Sequence, residues 1–314
     1  MRYGFGIDLG GTTVKIAFFE ENGTLLSAWE IPTRTEDSGS HILPDIADAV
    51  LAFLEKQNIP RSQVIGAGLD VPGPVNSQGV VNKCVNLGWG VFNVAQTLSD
   101  LLGIPVKAGN DANVAALGEY WKGGGAGATS MVMVTLGTGV GGGIVLDGHL
   151  LHGAHGSGGE LGHMVQDKHE QARCGCGKQG CVEQYCSATG LVTLAKRYLA
   201  AHNTPSCLWG SELTAKAVFD AAKAEDAAAL EILQQYYDHL GQFLASMCCV
   251  IDPDVVVLGG GVCKAGQMLL DGIRPYFDKY VFHAARGVRF ALAQLENDAG
   301  AYGALKLALD AFGQ

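Results

Sequence analysis

His163, Cys174, Cys176 and Cys181 place one imidazole and three thiols in a short run, Glu160-Leu161-Gly162-His163 followed by Cys174-Gly175-Cys176-Gly177-Lys178-Gln179-Gly180-Cys181-Val182-Glu183. This donor set suits a tetrahedral zinc, closed to water and therefore structural. An iron–sulfur cluster usually takes four cysteines, and the next one, Cys186, lies outside the Cys-x-Cys-x₄-Cys run. A lone histidine is ordinarily a surface or core residue; three neighbouring cysteines turn the reading to metal. Glu160 and Glu183 bracket the ligands, so a metal closing the loop also fixes two carboxylates. His163 can give one ring nitrogen to that metal and keep the other N–H for a second partner.

A second chemistry is written twice. Tyr3 to Asp8 reads as a strand that turns through Leu9-Gly10-Gly11-Thr12-Thr13 into a second strand, Val14 to Phe19. Met131 to Thr135 does the same through Leu136-Gly137-Thr138-Gly139 into Gly142 to Leu146. Glycine turns let backbone amides approach phosphate oxygens, Thr12 and Thr13 add hydroxyl donors, and Asp8 can reach a hydrated Mg²⁺. Lys15 either neutralises further phosphate charge or points to solvent. A glycine turn between strands usually binds nothing; the duplication gives this one weight. No Gly-x-x-x-x-Gly-Lys-Ser/Thr occurs, and the run from Gly137 leads into a strand where a dinucleotide fingerprint opens a helix.

These residues need a scaffold. Asn22-Gly23 and Asp147-Gly148 are hairpin signals, the first leading to a strand near Leu25 to Ile31. Between the repeats the pattern predicts a helix over 42–57, a strand over 64–70 ending in Val71-Pro72-Gly73-Pro74, a helix over 95–102, a strand over 104–108 and a helix over 114–121. After the cysteine loop come alanine-rich helices over 214–224 and 227–249, a buried-type strand over 255–258 ending in Gly259-Gly260-Gly261, and helical segments to the carboxyl end. Alternating strands and helices indicate an α/β fold with mixed sheets covered by helices.

Bulk properties exclude several classes. A chain of 314 residues, 48% hydrophobic, buries a large core and suggests two lobes. A net charge of -10 opposes a phosphate backbone, so nucleic acid is not an expected partner. No apolar stretch reaches the roughly 18 residues of a membrane span, and the amino terminus does not read as a signal peptide. The expected compartment is the cytoplasm, where nine cysteines stay reduced. Cys84, Cys186, Cys207, Cys248, Cys249 and Cys263 read as core thiols, and His152, His155 and His169 as loop or solvent residues. With 45 glycines, where average usage gives roughly 22, many places need tight turns or close backbone approach.

In order along the chain, Asp8-Leu9-Gly10-Gly11-Thr12, Asn110-Asp111-Ala112-Asn113, Leu136-Gly137-Thr138-Gly139, Glu160-Leu161-Gly162-His163, the cysteine loop and Leu258-Gly259-Gly260-Gly261 resemble the motifs of the ROK family of repressors and sugar kinases, and within it the ATP-dependent glucokinases. The resemblance implies two actin-like lobes with the active site in the cleft between them. The lobes are expected at 1–118, with a closing helix from about 299 to 314, and at 119–298.

The resemblance also implies roles. Asp111 is the general base for a sugar 6-hydroxyl, although an Asp at a strand-to-helix junction is more commonly a helix cap. Asn110 bonds a neighbouring hydroxyl; Glu160, His163 and Glu183 are further sugar contacts; Asn86, in Asn86-Leu87-Gly88-Trp89, and Gly73 join them or are plain turns. Asp8, Gly10, Gly11, Thr12, Thr13, Lys15, Gly137, Thr138 and Gly139 hold the phosphates of ATP, and Gly259, Gly260 and Gly261 the adenosine. ATP, Mg²⁺ and structural Zn²⁺ are the implied cofactors, glucose or a related hexose the acceptor, and a homodimer the implied assembly. N-acetylglucosamine, N-acetylmannosamine, allose and fructose kinases share most of the motifs. A sugar-sensing repressor of the family needs an amino-terminal helix-turn-helix, for which a first strand at about Tyr3 leaves no room. A non-catalytic actin-like ATPase has no use for the Asp111 and Glu160 constellation.

Overall fold

The computed structural model describes residues 2–313. In the first half, β1 (Tyr3–Leu9), β2 (Thr13–Glu20) and β3 (Leu25–Pro32) form an antiparallel meander. A distorted single turn, α1 (Glu36–Gly39), and α2 (Ile42–Lys56) lead to β4 (Val64–Val71); a short ladder, β5 (Val80–Val81) with β6 (Phe92–Asn93), precedes α3 (Val94–Leu102), β7 (Val106–Asn110) and α4 (Asp111–Lys122). The second half repeats the plan with β8 (Met131–Leu136), β9 (Val140–Leu146) and β10 (His149–Leu150) as the meander. Helices α5 (Glu183–Cys186), α6 (Ala188–Ala201), α7 (Ala215–Lys223) and α8 (Ala227–Ile251) follow, then β11 (Val255–Gly259), α9 (Gln267–Tyr280), β12 (Arg289–Leu292) and α10 (Ala299–Phe312).

The two five-stranded sheets have equivalent orders, β3-β2-β1-β4-β7 and β10-β9-β8-β11-β12. Each is three antiparallel strands continued by two parallel ones, with β4 and β7 parallel to β1, and β11 and β12 parallel to β8. The duplicated motif is thus a duplicated sheet, and the fold is actin-like α/β. Strands β4 and β11 are buried along their whole length, as expected of parallel strands covered on both faces.

Helix α4 rests on β8 and β9, α10 rests on β1, β4 and β7, and the two helices pack against each other. Glycine permits this approach. A Cβ on Gly6 would overlap the Ala301 carbonyl, one on Gly68 the Ala304 carbonyl and one on Gly303 the Val114 carbonyl. A small core that includes Val114, Leu117, Met131, Met133, Val257 and Ala304 fills the joint.

Helix starts follow local chemistry: Asn93, Ser187, Thr214 and Asp226 cap α3, α6, α7 and α8 by accepting backbone N–H groups. The sequence reading needs four corrections. The strand expected over 104–108 lies at 106–110, which puts Asn110 on the strand end. The carboxyl-terminal region is not all helical, since β12 pairs with β11; its burial is only partial, so no hydrophobic pattern marks it. Asn110, not Asp111, is the cap of α4: its side chain accepts from the Asn113 N–H, while Asp111 begins the helix. Cys207 and Cys249 are exposed, whereas Cys84, Cys186 and Cys248 are buried. Among the described residues no helix is long and apolar enough to cross a membrane.

Candidate active site

Strands β1, β4 and β7 run parallel, so their carboxyl ends share one edge, where ligands of open α/β sheets bind. Each brings an acid there. Asp8 is level with Asp70 in the register, and Asp70 is level with Gly109, one residue before Asn110-Asp111. A cavity of about 440 Å³ opens at this edge, within the range of small-molecule sites. Asp8, Asp70, Asn110 and Asp111 line one wall; Thr135, Gly141 and Gly142 of the second sheet, with Gly158, Gly159 and Glu160, line the other; Glu296, Asn297, Ala299 and Gly300 close an end.

Burial and mutual repulsion act on the three carboxylates. Asp111 reaches into the open cavity, yet the surrounding walls shield it enough to raise its carboxyl above the ordinary range, against the opposing bond from the Ala112 N–H (2.8 Å) and that from Asn110. Burial also raises Asp8, which Lys15 pulls back down and Asp111 and Glu30 push up further. Asp70, only 3% exposed, is raised well above its usual value, first by burial and then by the charges of Asp8 and Asp111. Asn110 is fixed by donating to the Gly73 carbonyl (3.2 Å), which ties Gly73 to the site through its backbone. Asn86 is exposed and outside the cavity lining.

The ligand atoms of His163, Cys174, Cys176 and Cys181 all lie within 4.8 Å of one another. Cys176 and Cys181 sulfurs are 3.6 Å apart, and His163 Nδ1 is 3.9 Å from Cys174 Sγ. Bonds of about 2.3 Å to a tetrahedral ion need sulfur separations of this size, so the four donors fit one metal. Without a metal, burial and neighbouring thiols push the Cys181 thiol up to about 12, a state that a metal would relieve by binding the thiolate. The imidazole faces two ways: Nδ1 turns to the thiols, while Nε2 is 4.0 Å from Glu160 Oε2 on the cavity side. Glu183 turns elsewhere. Its Oε2 accepts from the Val140 N–H (3.1 Å) and its Oε1 from the Cys174 thiol (3.5 Å), so it joins the metal loop to the second glycine turn and does not line the cavity.

The glycines of the turns divide by what surrounds them. A Cβ on Gly10 would lie 2.8 Å from the Thr13 carbonyl and one on Gly139 would overlap Glu183, so packing explains both. Gly11 and Gly137 face open space, as does Gly261; Gly260 has φ +85° and would press on Leu136. Thr12, Thr13 and Thr138 are exposed. Lys15 does not line the cavity: its Nζ bonds the Asp298 carboxylate and donates to the Asn297 carbonyl (3.3 Å).

Sequence reasoning passed over Asp70 and Glu119, took Asn113 only as part of the motif around Asp111, and took 299–300 only as the start of a closing helix. Asp70 had a signal, an ionisable residue in the otherwise apolar, fully buried run 64–71. Asn113 is buried and donates to the Gly158 carbonyl (3.2 Å), holding the loop that lines the cavity. Glu119, 0% exposed on α4, accepts N–H bonds from Gly124, Gln294 and Leu295 and so anchors the approach to 296–300.

Known proteins are similar in sequence and fold. The sequence profile of the ROK family matches residues 4–311. The chain is similar to a glucokinase of Halalkalibacterium halodurans, 42% identical over 308 residues that cover 96% of this chain and 93% of that protein. Its fold matches the crystal structure of a ROK hexokinase from Thermus thermophilus with a TM-score of 0.80, at 31% identity, covering 99% of this chain and 100% of that one. It also matches a ROK family glucokinase from Streptomyces griseus in complex with glucose and AMPPNP, with a TM-score of 0.73 at 32% identity, covering 98% and 99%.

Proposed function

The chain belongs to the ROK family, and from that premise we propose that it is an ATP-dependent kinase that phosphorylates the 6-hydroxyl of glucose, with Asp111 as general base. The observation that carries this reading is the single cavity lined by Asp111 and Asn110 on one wall and Glu160 on the other, beside three carboxylates at the ends of parallel strands. Asp111 takes the hydroxyl proton as the sugar oxygen attacks the γ-phosphorus and the bond to the ADP oxygen breaks. Its raised carboxyl makes it a stronger base than a solvated aspartate. Asn110, held by Gly73, bonds a neighbouring hydroxyl; Glu160 and His163, through Nε2–H, hold others, while Gly73 acts through its backbone, Glu183 braces the metal loop against Val140 from behind, and Asn86 stays outside the sugar site.

Asp8, Gly10 to Thr13 and Gly137 to Gly139 take the phosphates, and Gly259 to Gly261 the adenosine, while Lys15 stays with Asp298. Asp8 would hold the magnesium that accompanies the nucleotide, and that ion would neutralise phosphate charge. His163, Cys174, Cys176 and Cys181 would hold a structural zinc, which would fix the His163 tautomer and leave its other ring N–H for the sugar. The lobes divide at 1–118 with α10, and 119–298; the protein is cytoplasmic and works as a homodimer. A coupled assay of ADP production across hexoses and N-acetylhexosamines tests the acceptor. The highest kcat/KM is expected with glucose, and a higher value with N-acetylglucosamine would overturn it.

A further inference from the structure

Asp70 has no part in the sugar chemistry above, yet its position is hard to explain as packing. Its side chain lines the cavity, is 3% exposed, and carries a buried oxygen, Oδ1, with no hydrogen-bond partner. A buried carboxyl without a partner costs several kcal/mol at roughly the scale of polar-group desolvation, and an apolar residue in β4 would avoid that cost. The surroundings offer little relief. Asp8 and Asp111 face the same cavity, and the nearby cation, Lys15, is bonded to Asp298. The first turn of α10 adds only the partial positive charge of a helix end. Asp8 and Asp70 also converge: a Cβ on Gly300 would lie 2.7 Å from Asp8 Oδ2 and 2.6 Å from Asp70 Oδ2, so only glycine leaves room for both.

We propose that Asp70 is a direct ligand of a divalent cation shared with Asp8, so that the protein itself holds the ion before nucleotide arrives. Two carboxylates beneath a polar cavity suit a hard cation such as Mg²⁺, which takes one or two carboxylates and completes its shell with water and substrate phosphates. The ion offsets the charge that three carboxylates place on one cavity. It also supplies the orphaned Oδ1 of Asp70 with a partner. The purpose of the ion rests on the phosphoryl-transfer reading, but its binding does not.

The test uses the zinc-loaded full chain without nucleotide or sugar, titrated with Mn²⁺ while free Mn²⁺ is read by electron paramagnetic resonance. One ion per chain is expected, with affinity at least tenfold weaker in Asp70→Asn and in Asp8→Asn. In parallel, Mg²⁺ alone raises the melting temperature of the wild type and leaves Asp70→Asn unmoved. In buffer with no added divalent cation, the zinc-loaded variant melts no lower than wild type, because a buried orphan carboxyl has been removed; Asp70→Ser serves if the amide does not fold. Equal Mn²⁺ affinity in wild type and Asp70→Asn, or no binding by the wild type, overturns the proposal. A failed glucose assignment leaves this titration unchanged, so the two failures are distinguishable.

Discussion

Replacing Glu119 by alanine tests how the cleft is held. Glu119 Oε2 accepts from the Gly124 N–H at 2.8 Å, both its oxygens accept from Gln294 at 3.0 Å, and Oε1 accepts from Leu295 at 2.7 Å. Gly124 is buried, so its orphaned N–H costs about 1–3 kcal/mol. Water can reach the partly exposed Gln294 and Leu295, where the loss is about 0.5 kcal/mol each. The total is roughly 3 kcal/mol, and at about 2–4 °C per kcal/mol for a large chain the melting temperature falls by roughly 6–12 °C. Glu119→Gln keeps the shape and one carbonyl. If that carbonyl serves Gln294 and Leu295, its NH₂ confronts the Gly124 N–H, so about half of the loss is expected. Differential scanning calorimetry reads both variants. A Glu119→Ala protein that melts within about 1 °C of wild type, or a glutamine variant worse than alanine, refutes this account of the clamp.

Two other expectations concern the site. Asp111→Asn lowers kcat by about 10²–10⁴ while glucose binding, followed by tryptophan fluorescence, persists; full turnover would remove Asp111 from its role. Because the base must be ionised and burial raises its carboxyl above 3.8, kcat/KM in the wild type falls on the acid side as pH drops through that raised value. Zinc removal by a chelator frees His163 and the thiols, so sugar KM rises and the loop from Glu160 to Glu183 becomes protease-sensitive; unchanged KM in verified zinc-free protein reduces the metal to a remote staple.

Much of this architecture was legible because its signals are local. Glycine turns between β-branched runs marked β1–β2 and β8–β9, and Asn22-Gly23 and Asp147-Gly148 marked hairpins whose glycines take positive φ. Helices α2, α3, α7 and α8 fell within a residue or two of their expected limits. What failed was non-local. Strand β12 has only partly buried residues and exists because β11 offers a parallel edge. The Asn110 cap was misassigned by one residue, since either side chain can accept helix N–H groups and the strand length decides which one does.

The sequence by itself determined the donor sets: one imidazole and three thiols within 19 residues, and glycine turns repeated at the head of each half. Ligand identity and spacing within a loop are properties of a short segment, so no fold is needed to read them. Tertiary structure decided which groups share a cavity. Asp8, Asp70 and Asp111 come together only because β1, β4 and β7 run parallel with aligned carboxyl ends. Glu183 and Lys15, equal candidates in sequence, are drawn to the Val140 N–H and to Asp298. Orientation of a side chain depends on partners far away in the chain, and that information lies in the packing.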